Sequence, residues 1–159
     1  MILVFQIFSL AKNISINPPE KYRKWVEEEV VYIITTKEKD VFLQLNSDKQ
    51  RDIFIEAFWK QRDPTPGTAE NEFKSVHYRR IEYANKTFGP ASPGWKTDRG
   101  RIYIILGAPL NIQRFTSSTR IYPTEIWYYQ QDFEGELPPF FMSFFLIEKD
   151  LENTFFIRL

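Results

Sequence analysis

The stretch Gly94-Trp95-Lys96-Thr97-Asp98-Arg99-Gly100, continuing into Arg101-Ile102-Tyr103-Ile104-Ile105-Leu106-Gly107, decides how this chain is read. Its first seven residues have the makings of a lock. Gly94 permits a positive φ, Trp95 brings a large ring with one N–H donor, and Thr97 and Asp98 can bond to nearby backbone groups in hydroxyl or Asx turns. Arg99 or Arg101 can pair with Asp98. The following segment, 101–107, is apolar on both faces and rich in β-branched residues. It therefore reads as a central strand turned by Gly107-Ala108-Pro109. On this reading the apolar period changes from about 3.6 before the lock to 2 after it.

Upstream, four helices are expected. Asn17-Pro18-Pro19 opens the first, because proline is tolerated where its missing N–H has no partner. Tyr22, Trp25, Val26, Val30, Ile33 and Ile34 then fall on one helical stripe. Thr35 with Glu38 three residues on has the spacing of a capping box, and opens a short second helix that turns Val41, Phe42 and Leu45 inward. Ser47 or Asp48 caps a third, in which Ile53, Phe54, Ala57 and Phe58 share one face and Ile55 and Trp59 another. Asp63 precedes Pro64 and stops that helix. Thr68 can cap the fourth, with Phe73, Val76, Ile81 and Ala84 inside, and the run from Gly89 to Gly94 ends it with a left-handed glycine.

Downstream of the lock, strands are expected at 101–107, about 111–116, 124–130, in PFFMSFFLIEKD (139–150) and in TFFIRL (154–159). Short connections favour antiparallel pairing. The expected architecture is α+β, about four N-terminal helices packed on a C-terminal antiparallel sheet of four to five strands. Residues 12–159 read as a single domain, since 159 residues with no repeat and no long linker leave no room for a second.

Composition narrows the function classes. Lys plus Arg equals Asp plus Glu at 21 each, so no whole-molecule field draws the protein to nucleic acid. The balance is uneven, with seven basic against four acidic residues over 64–110 and four against seven over 111–159. That asymmetry fits two mutually attracting parts of the fold as well as it fits a ligand site. The chain has no cysteine, which excludes disulfide scaffolds, thiol catalysis and cysteine-ligated metals. Fifteen Phe, eight Tyr and four Trp make large rings dominate the core. Residues 1–11 are too short to span a bilayer, which needs about 20 residues. Ser9-Leu10-Ala11 ends them with the small residues a signal peptidase reads, so the segment is either a short export signal or an element packed on the domain.

No phosphate loop, G-x-S-x-G elbow, HExxH or EF-hand spacing occurs, and no cofactor or metal is implied. His77, the one histidine, reads as a surface or helix-packing residue. Arg62 and Asp63 form a second dense stretch. An Arg62–Asp98 ion pair would join it to the lock without any ligand. Trp127, Tyr128 and Tyr129 invite a carbohydrate or peptide reading, against the plainer one of core on one face and cover on the other. The candidate binding residues are Arg62, Asp63, Trp95, Thr97, Asp98 and Arg99.

The chain from about Tyr22 to Tyr129 resembles the bacterial GWxTD domain family. The motif stands here as Gly94-Trp95-Lys96-Thr97-Asp98, supported by FWKQRDPTPGTAENEF (58–73), HYRRIEYANKTFG (77–89), DRGRIYIILGAP (98–109) and YPTEIWYY (122–129). The resemblance implies a domain of bacterial proteins that are often exported, and it implies no established activity. The expected function is a non-enzymatic protein- or peptide-binding or structural module of the bacterial envelope, without nucleic acid. The rival is a hydrolase or glycan-active enzyme using the Asp63 and Asp98 carboxylates as acid and base.

Overall fold

The computed structural model describes residues 18–89, 92–115, 123–129, 140–145 and 156–157, the last two segments as backbone only. The leader reading of residues 1–11 lies outside the described residues, as do parts of the strands expected in 139–150 and 154–159. The chain divides into two compact units, residues 1–58 and 59–159.

In the first unit, Pro19 precedes α1 (Glu20–Lys24), which continues into a π-helical turn at Trp25–Glu29. Tyr22, Trp25, Val26 and Val30 are buried as the stripe predicts. Ile33 and Ile34 lie beyond the helical turns and are half-buried. Thr35 forms the full capping box, its Oγ1 accepting from the Glu38 N–H at 3.2 Å while Glu38 Oε2 accepts from the Thr35 N–H at 2.8 Å. This starts α2 (Thr36–Gln44), of which only Phe42 is buried; Val41 faces solvent, contrary to expectation. Ser47, not Asp48, caps α3 (Asp48–Lys60), again reciprocally, with Gln50 returning its side chain to the Ser47 N–H. The core is an aromatic cluster in which the Trp25 ring meets Phe42 at 4.9 Å, Phe58 at 5.1 Å and Phe54 at 6.3 Å. Each such ring pair adds about 0.5–1.5 kcal/mol beyond its buried area. Arg51 is buried as well, donating to Asp48 Oδ1 at 2.9 Å and to the Leu45 carbonyl at 2.7 Å. Ile53 and Ala57 are exposed, so the predicted inner face of α3 narrows to Phe54 and Phe58.

In the second unit, Asn71 caps α4 (Glu72–Phe88) by accepting from the Lys74 N–H at 2.8 Å. Its amide also donates to the Trp59 carbonyl at 2.7 Å. Thr68, the expected cap, instead closes the preceding loop, donating its hydroxyl to the Glu70 carbonyl at 2.8 Å with the Thr65 carbonyl also within reach at 3.2 Å. The buried residues of α4 are His77, Ala84 and Phe88, whereas Phe73 is exposed. His77 is a packing residue among the rings of Trp59, Phe73 and Tyr78. Gly89 ends α4 at φ −112°, not in the left-handed region.

The largest correction falls on the segment that decided the sequence reading. Residues 101–107 are not a central strand. Residues 101–106 belong to α5 (Asp98–Leu106), which follows a 3-10 turn at Gly94–Lys96. Thr97 caps α5, Asp98 sits in its first turn, and Gly107 ends it at φ 87°. Arg80 of α4 closes the far end by donating to the carbonyls of Ile104 and Ile105, each at 3.1 Å. Helix ends leave such carbonyls without intrahelical partners, so a guanidinium there offsets the weak helix preference of three isoleucines.

The strand expected at 101–107 therefore drops out of the antiparallel sheet. The sheet with described side chains is the antiparallel pair β1 (Asn111–Phe115) and β2 (Thr124–Tyr129). Backbone pairing continues antiparallel through β3 (Phe140–Phe145) to β4 (Phe156–Ile157). Trp127 of β2 is almost fully buried and packs against Phe88 of α4 at 5.6 Å and Tyr103 of α5 at 6.5 Å. Tyr129, on the same face, donates its hydroxyl to the Gly107 carbonyl at 3.2 Å. The aromatic residues of β2 are therefore largely core, as the plainer of the two readings has it. The second unit is α+β, with α4 and α5 covering one face of β2.

Candidate functional site

The motif turn is built by backbone proximity. A Cβ placed on Gly94 would stand 2.0 Å from the carbonyl oxygen of Ala84, and one placed on Gly100 would stand 1.8 Å from the carbonyl oxygen of Gly94. Gly94 is thus clasped between the backbones of α4 and α5, where no side chain fits. Neither glycine has a positive φ, so the expected conformational role of Gly94 is replaced by a steric one.

Hydrogen bonds fix the clasp from both sides. Asn85 Oδ1 of α4 accepts from the Trp95 N–H at 3.0 Å. Thr97 donates its hydroxyl to the Gly94 carbonyl at 2.8 Å and accepts from the Gly100 N–H at 3.0 Å. One hydroxyl thereby serves as donor to the turn and as N-cap to α5. This accounts for a hydroxyl residue at 97, and for a branch of the chain that starts a helix immediately after a 3-10 turn.

The charged residues around the turn take separate partners. Asp98 pairs with Arg101 one helical turn on, at 3.5 Å, rather than with Arg62 or Arg99. Burial pushes the Asp98 carboxyl above its ordinary range, and Arg101 offsets part of that. Arg99 instead lies over the Phe88 ring at 5.2 Å and reaches Glu125 of β2 at 3.6 Å. Glu125 also accepts from Arg114 of β1 at 2.8 Å and from the Trp127 indole at 3.0 Å. Burial pushes its carboxyl up, but these two hydrogen bonds and the Arg99 charge outweigh that and hold it below the usual value. Burial likewise raises the Tyr129 hydroxyl.

Of the sequence candidates, Trp95, Thr97, Asp98 and Arg99 share one continuous turn. Arg62 and Asp63 lie in the turn after α3, where Asp63 accepts from the Thr65 N–H at 3.1 Å. The two carboxylates proposed as an acid–base pair, Asp63 and Asp98, are each engaged by a near neighbour in sequence. Three residues that build the site escape sequence reasoning: Asn85, Gly100 and Glu125. Gly100 carries a weak signal, a glycine at the third position of a capped helix where propensity argues against it.

Trp95 is half-buried, its backbone fixed by Asn85, and the ammonium of Lys96 lies 5.1 Å from the centre of its ring. Among the described residues no cluster of three or more His, Cys, Asp or Glu could hold a metal ion, and no helix is long and apolar enough to cross a membrane.

A family model described as the GWxTD domain matches residues 10–153, nearly the whole chain. No curated protein and no solved structure matches it.

Proposed function

The chain belongs to the GWxTD domain family, and on that premise we propose that it is a non-enzymatic module of the bacterial cell envelope that binds another protein or a peptide at the surface around Trp95. The observation that carries this reading is the setting of Trp95: a large ring, only half-buried, on a turn held rigid by the Gly94 clasp and the Asn85 hydrogen bond. A preorganised, partly exposed tryptophan is the kind of anchor that dominates protein interfaces, because little conformational entropy is lost when it is covered. The polar groups around it support a non-catalytic role. Thr97 is spent on capping, and Asp98 faces Arg101.

The test compares wild-type protein with Trp95→Ala as bait in the native host, with thermal unfolding of both measured in parallel. Partners retained by wild type and lost by a Trp95→Ala variant that melts normally support the reading. A variant that loses stability but keeps every partner sinks it. Cell fractionation with intact-mass measurement tests the envelope assignment, which fails if the protein stays in the cytosol with residues 1–11 attached.

A further inference from the structure

We infer that the partner meets this surface through an acidic segment, an inference that rests on the binding reading of Trp95. Arg99 and Arg114 meet at Glu125, Arg101 pairs with Asp98 in the first turns of α5, and Lys96 stands beside Trp95 two residues before Asp98. Four cations therefore stand against two carboxylates among these residues, in a chain whose formal net charge is zero.

Depth sets Arg101 and Arg114 apart from the carboxylates. The Glu125 side chain is 8% exposed and those of Asp98 and Arg99 are each 24%, whereas Arg101 is 42% and Arg114 66% exposed. The carboxylates lie beneath and act as internal counterions; Arg101, Arg114 and the exposed Lys96 lie outside. A surface of this kind presents a positive potential outward, which steers and orients an oppositely charged partner. Guanidinium forks match carboxylates in particular. The adjoining Trp95 ring adds an apolar contact, so the fitting ligand is an extended run of Asp or Glu with a hydrophobic residue beside it. Nucleic acid fits less well. An excess of two charges can neutralise few phosphates, whereas tight DNA binders engage roughly 6–10.

The experiment titrates a fluorescein-labelled decaglutamate peptide into the full chain at low salt and follows anisotropy. Wild type is expected to bind, and Lys96→Glu to weaken binding on the order of tenfold, with rising salt doing the same. Lys96 is exposed and makes no ion pair among the described residues, so its reversal leaves the fold intact, which circular dichroism checks. Lys37→Glu, on exposed α2, is expected to change nothing. Equal binding by wild type and Lys96→Glu overturns the inference, as does no binding at all. Binding of a ten-nucleotide single strand as tight as that of the peptide would make the surface a general polyanion site and overturn it too. If decaglutamate fails while Trp95→Ala still abolishes partner retention, the charge inference falls alone and the binding module stands.

Discussion

The Gly100 backbone approaches Gly94 so closely that a Cβ on Gly100 would lie 1.8 Å from the Gly94 carbonyl oxygen, closer than any real side chain comes. The contact is between two backbones, so no rotamer change can relieve it. Gly94→Ala and Gly100→Ala are each expected to cost about 3 kcal/mol or more, or to prevent folding of the second unit. Gly67→Ala makes the contrast: it meets nothing within 4 Å and suffers only from its φ of 117°. Its cost is expected to be about 1–2 kcal/mol. Urea unfolding of the three variants measures the difference, and equal effects would refute the clasp.

Thr97 does two jobs with one oxygen, so its substitutions should separate hydroxyl from shape. Thr97→Val keeps the branch but loses both the bond to the Gly94 carbonyl and the α5 cap; a loss of about 2 kcal/mol is expected. Thr97→Ser keeps the oxygen and should lose less than half of that. Thermal unfolding with helix content followed at 222 nm would show it, and a serine variant as weak as the valine would count against the capping role.

Glu125 makes the second unit acid-sensitive. Its carboxyl titrates below the ordinary 4.5 in the folded chain, so its stabilising effect is complete above that value and fades as pH falls through the lower folded value. Asp98 has the opposite sign. Its carboxyl is raised above 3.8, so it favours the fold at low pH and loses that contribution as pH rises through the raised value. Glu125→Gln is therefore expected to lower Tm at pH 7 and to flatten the acid limb of the stability curve, whereas Asp98→Asn leaves Tm at pH 7 unchanged or slightly higher. Melting curves from pH 3 to 8 test both, and an acid limb that survives Glu125→Gln would assign it elsewhere.

Local chemistry was legible in the sequence wherever a few neighbouring residues settle the outcome. The Thr35–Glu38 capping box, the end of α3 ahead of Asp63-Pro64 and the buried stripe Tyr22, Trp25, Val26 and Val30 each follow from local sequence alone. At the motif, residue type marks Thr97 as a former of hydroxyl bonds to the local backbone, and it makes two, to Gly94 and Gly100.

What the sequence could not decide is the state of residues 101–106. Ile102, Ile104 and Ile105 favour a strand locally, and an apolar run of that length fits a buried strand or a buried helix equally well. The choice was made by atoms far along the chain: the Ala84 and Gly94 carbonyls that admit only glycine, and the Arg80 guanidinium that satisfies the last carbonyls of α5. The same holds for Glu125, a strand residue with no local feature to mark it, which tertiary packing places between Arg99 and Arg114. Sequence by itself thus determined the Thr35 capping box and the buried stripe of the first helix, because those depend on contacts within a turn or two. Only the tertiary structure decided helix against strand after the motif, because there the intrinsic preferences differ by less than a kcal/mol per residue and long-range backbone contacts outweigh them.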